Sequence, residues 1–352
     1  MAAVAATHAG QVNDVEVPHP PTDSISSLAF SQTADYLATG SWDNSVRIYE
    51  VGSNMQAQCK AMHTQQGAVL SVCWNKDGDK VFSAGADNVG IMFDVATGQT
   101  TRVAQHDAPV KAIKWIDTRH SSILITGSWD KTIRYWDLRS PSPIATLTLP
   151  ERCYSLDFEY PLMVVGTADR HIQYFEFTTG NPTLPTIQST LKFQTRVVSC
   201  FRGSMNTSKT GFAVGSVEGR IAIQYTDPKE CVNNYTFRCH RKDIIPKSKN
   251  ETIVYPINDI SFHPIQGTFT TCSSDGNIYF WDKDARMRKG GFSPASGPIT
   301  STTFNRNGSI LAYAVSYDWH KGHSGMTANI PNKIFLHKCK DDEIRREIRR
   351  RR

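Results

Sequence analysis

Ala38-Thr39-Gly40-Ser41-Trp42-Asp43-Asn44-Ser45-Val46-Arg47-Ile48-Tyr49-Glu50 is the stretch whose reading decides the fold. It returns almost unchanged as Ile125-Thr126-Gly127-Ser128-Trp129-Asp130-Lys131-Thr132-Ile133-Arg134-Tyr135-Trp136-Asp137. In both, small residues lead into a tight acidic turn, and an alternating strand leaves it to end in an aromatic and an acid. Looser copies lie on either side. Ser83-Ala84-Gly85-Ala86-Asp87 leads to Phe93-Asp94, and Val165-Gly166-Thr167-Ala168-Asp169 leads to Phe175-Glu176. Val214-Gly215-Ser216-Val217-Glu218-Gly219-Arg220 leads to Tyr225, and Cys272-Ser273-Ser274-Asp275-Gly276 leads to Trp281-Asp282. Ala314-Val315-Ser316-Tyr317-Asp318 reaches Phe335 only after an insertion. The spacing is roughly 40 residues, a period that marks a repeat architecture. Seven copies fill the chain and leave no room for an eighth.

Each copy reads as a four-stranded sheet that cannot bury both of its faces alone. Sheets set in a ring bury them against one another. The small residues let a strand approach the crowded axis, the turn acid accepts hydrogen bonds that fix the hairpin, and the aromatic fills the space between sheets. The expectation is an all-β fold, a seven-bladed WD-repeat β-propeller. Its last copy ends on Asn332-Lys333-Ile334-Phe335-Leu336-His337-Lys338 with no outer partner, while Val12-Asn13-Asp14-Val15-Glu16-Val17 precedes the first blade with nothing else to pair with. Pairing these two segments closes the ring and removes an open edge. The expected organisation is an N-terminal arm with the closing strand (residues 1–24), the propeller (25–340) and a charged basic tail (341–352).

Composition agrees with this layout. The chain has 352 residues, 39% hydrophobic and 20% charged, within the range of proteins that bury a sizeable core. Apolar runs such as Ile310 to Val315 are too short to cross a bilayer, so no membrane insertion is expected. The opening Met1-Ala2-Ala3-Val4-Ala5-Ala6 has neither the charged nor the apolar region of a secretory leader. Cys59, Cys73, Cys153, Cys200, Cys231, Cys239, Cys272 and Cys339 stand singly, without the CxxC spacing of a zinc or redox site. Several sit between apolar neighbours, as in Ser71-Val72-Cys73-Trp74, and read as small buried hydrophobes; a reducing compartment is the default, and no metal or cofactor is expected. The formal charge of +6 lies partly in the tail Arg345-Arg346-Glu347-Ile348-Arg349-Arg350-Arg351-Arg352. That tail can meet phosphates or an import receptor, or simply fray in solvent.

No GxSxG elbow, Walker loop, GxGxxG fingerprint or HExxH helix occurs. His63 and His106 precede blade-initial strands, where bracing the turn acid is the bland reading and catalysis the sharp one. The turn acids Asp43, Asp87, Asp130, Asp169 and Asp275 come one per blade, too scattered for paired-carboxylate chemistry. Trp42, Trp129 and Trp319 flank their turn acids, where polar residues are usual. They read as a binding rim around the channel mouth, against the alternative of packing between blades. Phe237-Arg238-Cys239-His240-Arg241-Lys242 and Trp281-Asp282-Lys283-Asp284-Ala285-Arg286-Met287-Arg288-Lys289 interleave aromatics with cations. Such runs suit a nucleic-acid strand or an acidic peptide, although a charge run is also what a solvated face looks like.

Over nearly its whole length the chain resembles the nuclear-pore mRNA export factors of the Gle/Rae type. The marks are Ser41-Trp42-Asp43-Asn44-Ser45-Val46-Arg47, Ser216-Val217-Glu218-Gly219-Arg220, Cys239-His240-Arg241, Phe280-Trp281-Asp282-Lys283-Asp284-Ala285-Arg286 and Ser316-Tyr317-Asp318-Trp319-His320-Lys321-Gly322-His323. The Bub-type mitotic checkpoint propeller shares the Ser-Trp-Asp turns and the Glu-Gly-Arg stretch. The Tyr-Asp-Trp-x-Lys-Gly-His and Asp-Lys-Asp-Ala-Arg runs resemble the export branch.

The resemblance implies a non-enzymatic adaptor of the nucleus, nuclear envelope and nuclear pore complex, able to shuttle to the cytoplasm. It implies a face that takes the acidic GLEBS hairpin of a Gly-Leu-Phe-Gly nucleoporin, with Trp42, Trp129 and Arg220 matching it. It also implies a groove for single-stranded RNA or an mRNP, walled by Phe237, Arg238, Trp281, Lys283, Arg286 and Arg288. The alternative is a kinetochore scaffold that works with mitotic checkpoint proteins and binds acidic or phosphorylated peptides. A propeller hydrolase would need clustered acids or a metal in its channel, and the sequence offers neither.

Overall fold

Each repeat folds into a four-stranded antiparallel sheet, seven in all. The structure, a computed structural model, describes residues 13–117, 122–177, 186–203, 210–244, 251–327 and 329–346. Blade 1 shows the plan, with Ile25–Phe30 innermost, then Tyr36–Ser41, Ser45–Val51 and Ala57–Thr64 outermost. Blades 1 to 6 use four strands in chain order. Blade 7 takes three from the end of the chain, Ile299–Phe304, Ile310–Val315 and Lys333–Lys338, and its fourth from Val15–Glu16. The closing strand expected from the sequence is therefore present, in the register Val15 to Leu336 and Glu16 to Phe335. Val17 N–H adds a bond to the Ile334 carbonyl at 2.9 Å, and the Val17 side chain is fully buried. Val12, the first residue of that expected strand, lies outside the described residues. A short ribbon, Arg241–Asp243 with Thr252–Val254, interrupts the path from blade 5 to blade 6.

The small residues before each turn have a sharper job than merely thinning the axis. A Cβ on Gly40 would come within 2.7 Å of Val69 Cγ1, and one on Gly127 within 2.6 Å of Cys153 Sγ. Both neighbours belong to the innermost strand of the next blade, so glycine here sets the distance between blades. The aromatics that end the third strands fill the remaining space; Tyr49 and Phe335 are fully buried.

A second device joins the blades near the axis. Every innermost strand carries a bulge at its second or third residue, for example between Ile25 and Ser27. The extra residue leaves the ladder and the next side chain is turned sideways. Ser27 Oγ then accepts Val72 N–H at 3.2 Å, Ser71 Oγ accepts Ile113 N–H at 3.3 Å, and Ser155 Oγ accepts Val198 N–H at 3.0 Å. Asp259 Oδ2 accepts Thr302 N–H at 2.9 Å, and Ser301 Oγ closes the circle on Leu28 N–H at 3.2 Å. The two remaining seams carry Ala112 and Val197 at this position and are joined by apolar contact.

Histidine bracing divides the blades. In blade 3, His106 Nδ1 meets Asp130 at 2.8 Å and Nε2 meets Thr126 Oγ1 at 2.6 Å, while Trp136 Nε1 donates to the same hydroxyl at 2.8 Å. Blade 6 repeats the arrangement with His240, Asp275, Thr271 and Trp281. The expectation for His63 is corrected. It reaches Ser83 Oγ at 3.2 Å, and its Nδ1 has no partner among the described residues, so it does not brace Asp87. Blade 2 carries Phe93 where blade 3 has Trp136, and the His63 ring stacks on it at 4.9 Å. Burial pushes the pKa of His63 down to about 4, which keeps it neutral.

The start of the tail is anchored, whereas the sequence allowed it to fray. Asp341–Ile344 forms one helical turn, the Ile344 carbonyl accepts Thr268 Oγ1 at 2.7 Å, and Arg346 pairs with Asp284. Residues 347–352 lie outside the described residues. His337 ties both chain ends together, with Nδ1 on Asp14 at 2.7 Å and Nε2 on Glu343 at 3.1 Å. Burial alone would depress its pKa, but the two carboxylates outweigh that and lift it to about 9.

Two outcomes follow from this clasp. Removing residues 1–17 should lower the melting temperature by roughly 5 °C or more, because an apolar strand and its ladder are lost; an unchanged melt would show that the pairing contributes nothing. The raised His337 pKa stabilises the fold fully below the unfolded value of 6.5, and that contribution disappears as pH rises through about 9. Denaturant titrations from pH 6.5 to 9.5 should show a loss on the order of 2 kcal/mol. The H337Q chain should lack that component of the pH dependence.

Candidate binding surfaces

The turns between second and third strands share one rim with the blade-to-blade connections, as shown by Trp42 N–H on the Ser24 carbonyl and Trp129 N–H on the Pro109 carbonyl. On this rim Asp43 accepts the backbone N–H groups of Ser45 and Thr22, each at 2.9 Å, and pairs with Arg47 at 3.3 Å. The turn is completed by Asn44 at φ +66°. With its backbone pinned, Trp42 keeps its ring half-buried, stacked on Trp319 with centroids 4.3 Å apart. Trp319 sits at φ +60°, and Tyr317 packs on it at 5.6 Å. The Asp318 carboxylate holds this loop down by accepting Ser274 Oγ and Asn258 Nδ2.

The three rim tryptophans thus divide. Trp42 and Trp319 form a stacked pair across the seam of blades 1 and 7. Trp129 is 38% exposed, and no ring contact joins it to either of them among the described residues.

Arg220 lies on the same rim in blade 5. Its Nε meets Glu218 Oε2 at 3.3 Å. Register places Arg238 beside it on the outer strand, and Arg241 donates to the Glu218 carbonyl at 2.8 Å. Burial first, then the like charges of Arg220 and Arg238, hold the pKa of Arg241 below that of an ordinary guanidinium. Three guanidinium groups therefore crowd together and only Arg220 pairs with the Glu218 carboxylate, a patch suited to a further anion. Gly219 makes the crowding possible. It has φ +62°, and a Cβ there would lie 2.7 Å from the Cys239 carbonyl oxygen.

The second expected constellation is spread along the outer edge where blades 5 and 6 meet. Phe237 and Trp281 are in contact, with centroids 4.6 Å apart. Tyr235 continues the row on one side and Tyr279 on the other, at 6.0 Å from Phe237 and 6.1 Å from Trp281. The Arg286 guanidinium covers Tyr235 at 4.6 Å and the Arg288 guanidinium covers Tyr279 at 3.9 Å, and both arginines are exposed. Arg238 lies at the Arg220 end of this edge and Arg286 at the opposite end, about 10 Å apart along the strand.

Lys283 does not join them. It is 3% exposed, bonds Asp284 at 2.8 Å and lies 4.9 Å from the Phe201 ring. Trp281 also serves its own blade, through the bond to Thr271 described above. Sequence reading missed Tyr235 and Tyr279. Alternation was the available signal, since Tyr235 with Phe237, and Tyr279 with Trp281, fall on one face of their strands.

The family model for the WD domain, G-beta repeat, matches residues 8–50, 57–94, 98–137 and 250–282. The chain is 48% identical to the mRNA export factor GLE2 of Chaetomium thermophilum, over 95% of this chain and 92% of that protein. It is 48% identical to the Poly(A)+ RNA export protein of Schizosaccharomyces pombe, over 94% of this chain and 92% of the other. It is 44% identical to the protein Rae1 of Drosophila melanogaster, over 94% and 96%. Similarity at these levels runs over nearly the whole chain, and the chain belongs to the family of WD-repeat mRNA export factors.

Proposed function

We propose that this protein is a non-enzymatic adaptor in mRNA export at the nuclear pore, with one surface for a protein partner and another for RNA. Relatives named for mRNA and poly(A)+ RNA export support the process. The observation that carries the RNA half is the row Tyr235, Phe237, Trp281, Tyr279 with Arg286 and Arg288 laid over it. Aromatic faces spaced along a strand accept unstacked bases of any sequence, and flanking guanidinium groups take the phosphates. The protein half rests on the rim, where Trp42, Trp129 and the crowded Arg220 suit an acidic hairpin of the GLEBS kind from a Gly-Leu-Phe-Gly nucleoporin. Aromatic anchors and arginines are the residues that dominate such interfaces.

Two measurements test the two surfaces separately. Replacing Arg220 by Glu should weaken binding of a GLEBS peptide by about 2 kcal/mol, roughly thirtyfold in Kd, through lost pairing and new repulsion with Glu218 and the peptide acids. Wild-type affinity in calorimetry would remove Arg220 from that site. For RNA, the R286E/R288E double variant should bind a single-stranded oligonucleotide less tightly and with a flatter dependence on salt, each lost phosphate contact reducing the slope by about 0.7. K283M should leave the slope as it is, because that ammonium is already spent on Asp284. A slope lost in K283M and kept in the double variant would place the RNA elsewhere.

A further inference from the structure

The bulges of the innermost strands have a result beyond the seams. The residue extruded at each bulge projects toward the axis, and these side chains line the upper end of a central cavity of about 500 Å³. Two of the seven are cations, Lys111 from blade 3 and Arg196 from blade 5. The others, Ser26, Leu70, Tyr154, Asn258 and Thr300, are uncharged, so this ring contains no acid.

The two ends of the channel differ in how charge is met. Toward the far rim, Lys114 and Arg202 share Asp157 at 3.0 and 3.1 Å, and Arg202 also meets Glu159 at 3.2 Å. At the bulge ring two carboxylates lie near the cations, Asp259 toward Lys111 and Asp318 toward Arg196, and both accept their hydrogen bonds from other groups. Asp259 accepts Ser301 Oγ, Thr302 N–H and Ile260 N–H, and Asp318 accepts Ser274 Oγ, Asn258 Nδ2 and His320. Arg196 places one N–H on the Asp318 carbonyl at 2.9 Å. Among the described residues, none accepts a hydrogen bond or ion pair from the Lys111 ammonium. Burial, and then the charge of Arg196, hold its pKa below the ordinary lysine value. Lys111 is partly buried and faces the cavity, and an anion entering from the rim would supply the acceptor its ammonium lacks.

We infer that the upper mouth of the channel is a binding site for a phosphoryl group, held between Lys111 and Arg196. This site lies inside the channel mouth, just below the rim that carries Trp42 and Trp319, and rests on neither the hairpin nor the RNA reading proposed above. Tyr154 stands between the two cations in the ring, and its hydroxyl can donate to the same oxygens. A phosphoryl group meets the chemistry because it offers several acceptor oxygens to donors approaching from different blades. Its source is either a free small molecule or a phosphorylated side chain, and the two can be told apart.

The test is calorimetric titration of the full chain with inorganic pyrophosphate and, separately, with a short phosphoserine peptide. K111M and K60M are titrated beside the wild type. Lys60, on the outer strand of blade 1 and paired with Glu50, controls for general loss of charge. Saturable binding of pyrophosphate in the millimolar range or tighter, weakened roughly tenfold or more by K111M and unchanged by K60M, is the expected result for a free ligand. Binding of the peptide alone, with the same dependence on Lys111, assigns the phosphoryl group to a partner. No saturable binding of either, or equal binding by all three chains, overturns the inference. Thermal melting without ligand guards against misfolding. K111M should melt at or above the wild-type temperature, since it removes a charge that only a ligand completes, and a lower melt would also count against the site.

Discussion

The structure depends on a constraint that no single blade can meet. Seven sheets must hold their innermost strands close together around an axis without leaving an open edge. Glycines such as Gly40 and Gly127 set the approach, and side chains after the bulges, Ser27, Ser71, Ser155, Asp259 and Ser301, hand an acceptor to the next blade's backbone. Because the ring closes on itself, a change in one seam is carried by all seven. The bulge that frees the seam side chain also turns its neighbour into the channel. One backbone irregularity thus produces both the joint and the lining.

Function occupies the places where the repeat is broken. The tetrads of His106, Asp130, Thr126 and Trp136, and of His240, Asp275, Thr271 and Trp281, are repeat chemistry that holds blades 3 and 6. Trp319 takes the positive-φ turn position that Asn44 and Asn88 hold in blades 1 and 2, and its stacking on Trp42 bridges the first and last blades. In blade 5 Glu218 stands where the other turns carry aspartate, and the tight approach that Gly219 allows brings Arg220, Arg238 and Arg241 together.

The sequence carried the fold far more fully than the sites. Turn acids, small residues and terminal aromatics recur with a period, and a period survives local variation; hence seven blades and the closing strand could be read without coordinates. The sites depend on what stands beside what across strands that are distant in the chain. Lys283 belongs to a basic run in one dimension, yet Asp284 and Phe201 take its charge in three. Lys111 belongs to no motif in the run Val110-Lys111-Ala112, and only the bulge shared by all seven inner strands shows where it points. His63 follows the same spacing as His106 but lacks a tryptophan and a threonine to complete its network. Neighbours along the chain predict repeats well and charge partners poorly.

The blade shared between the chain's two ends has a consequence for how the protein is made. Asp14 and His337 meet across 323 residues, so during synthesis the strand that precedes blade 1 has no partner until the third strand of blade 7 has emerged. A nascent chain can complete six blades in order, but the seventh and the Val15–Glu16 strand must wait for each other. Such long-range closure slows folding and leaves strand edges exposed during synthesis. A truncated or stalled translation product would therefore carry a ring of sheets with two bare edges, the kind of surface that chaperones hold and proteases clear.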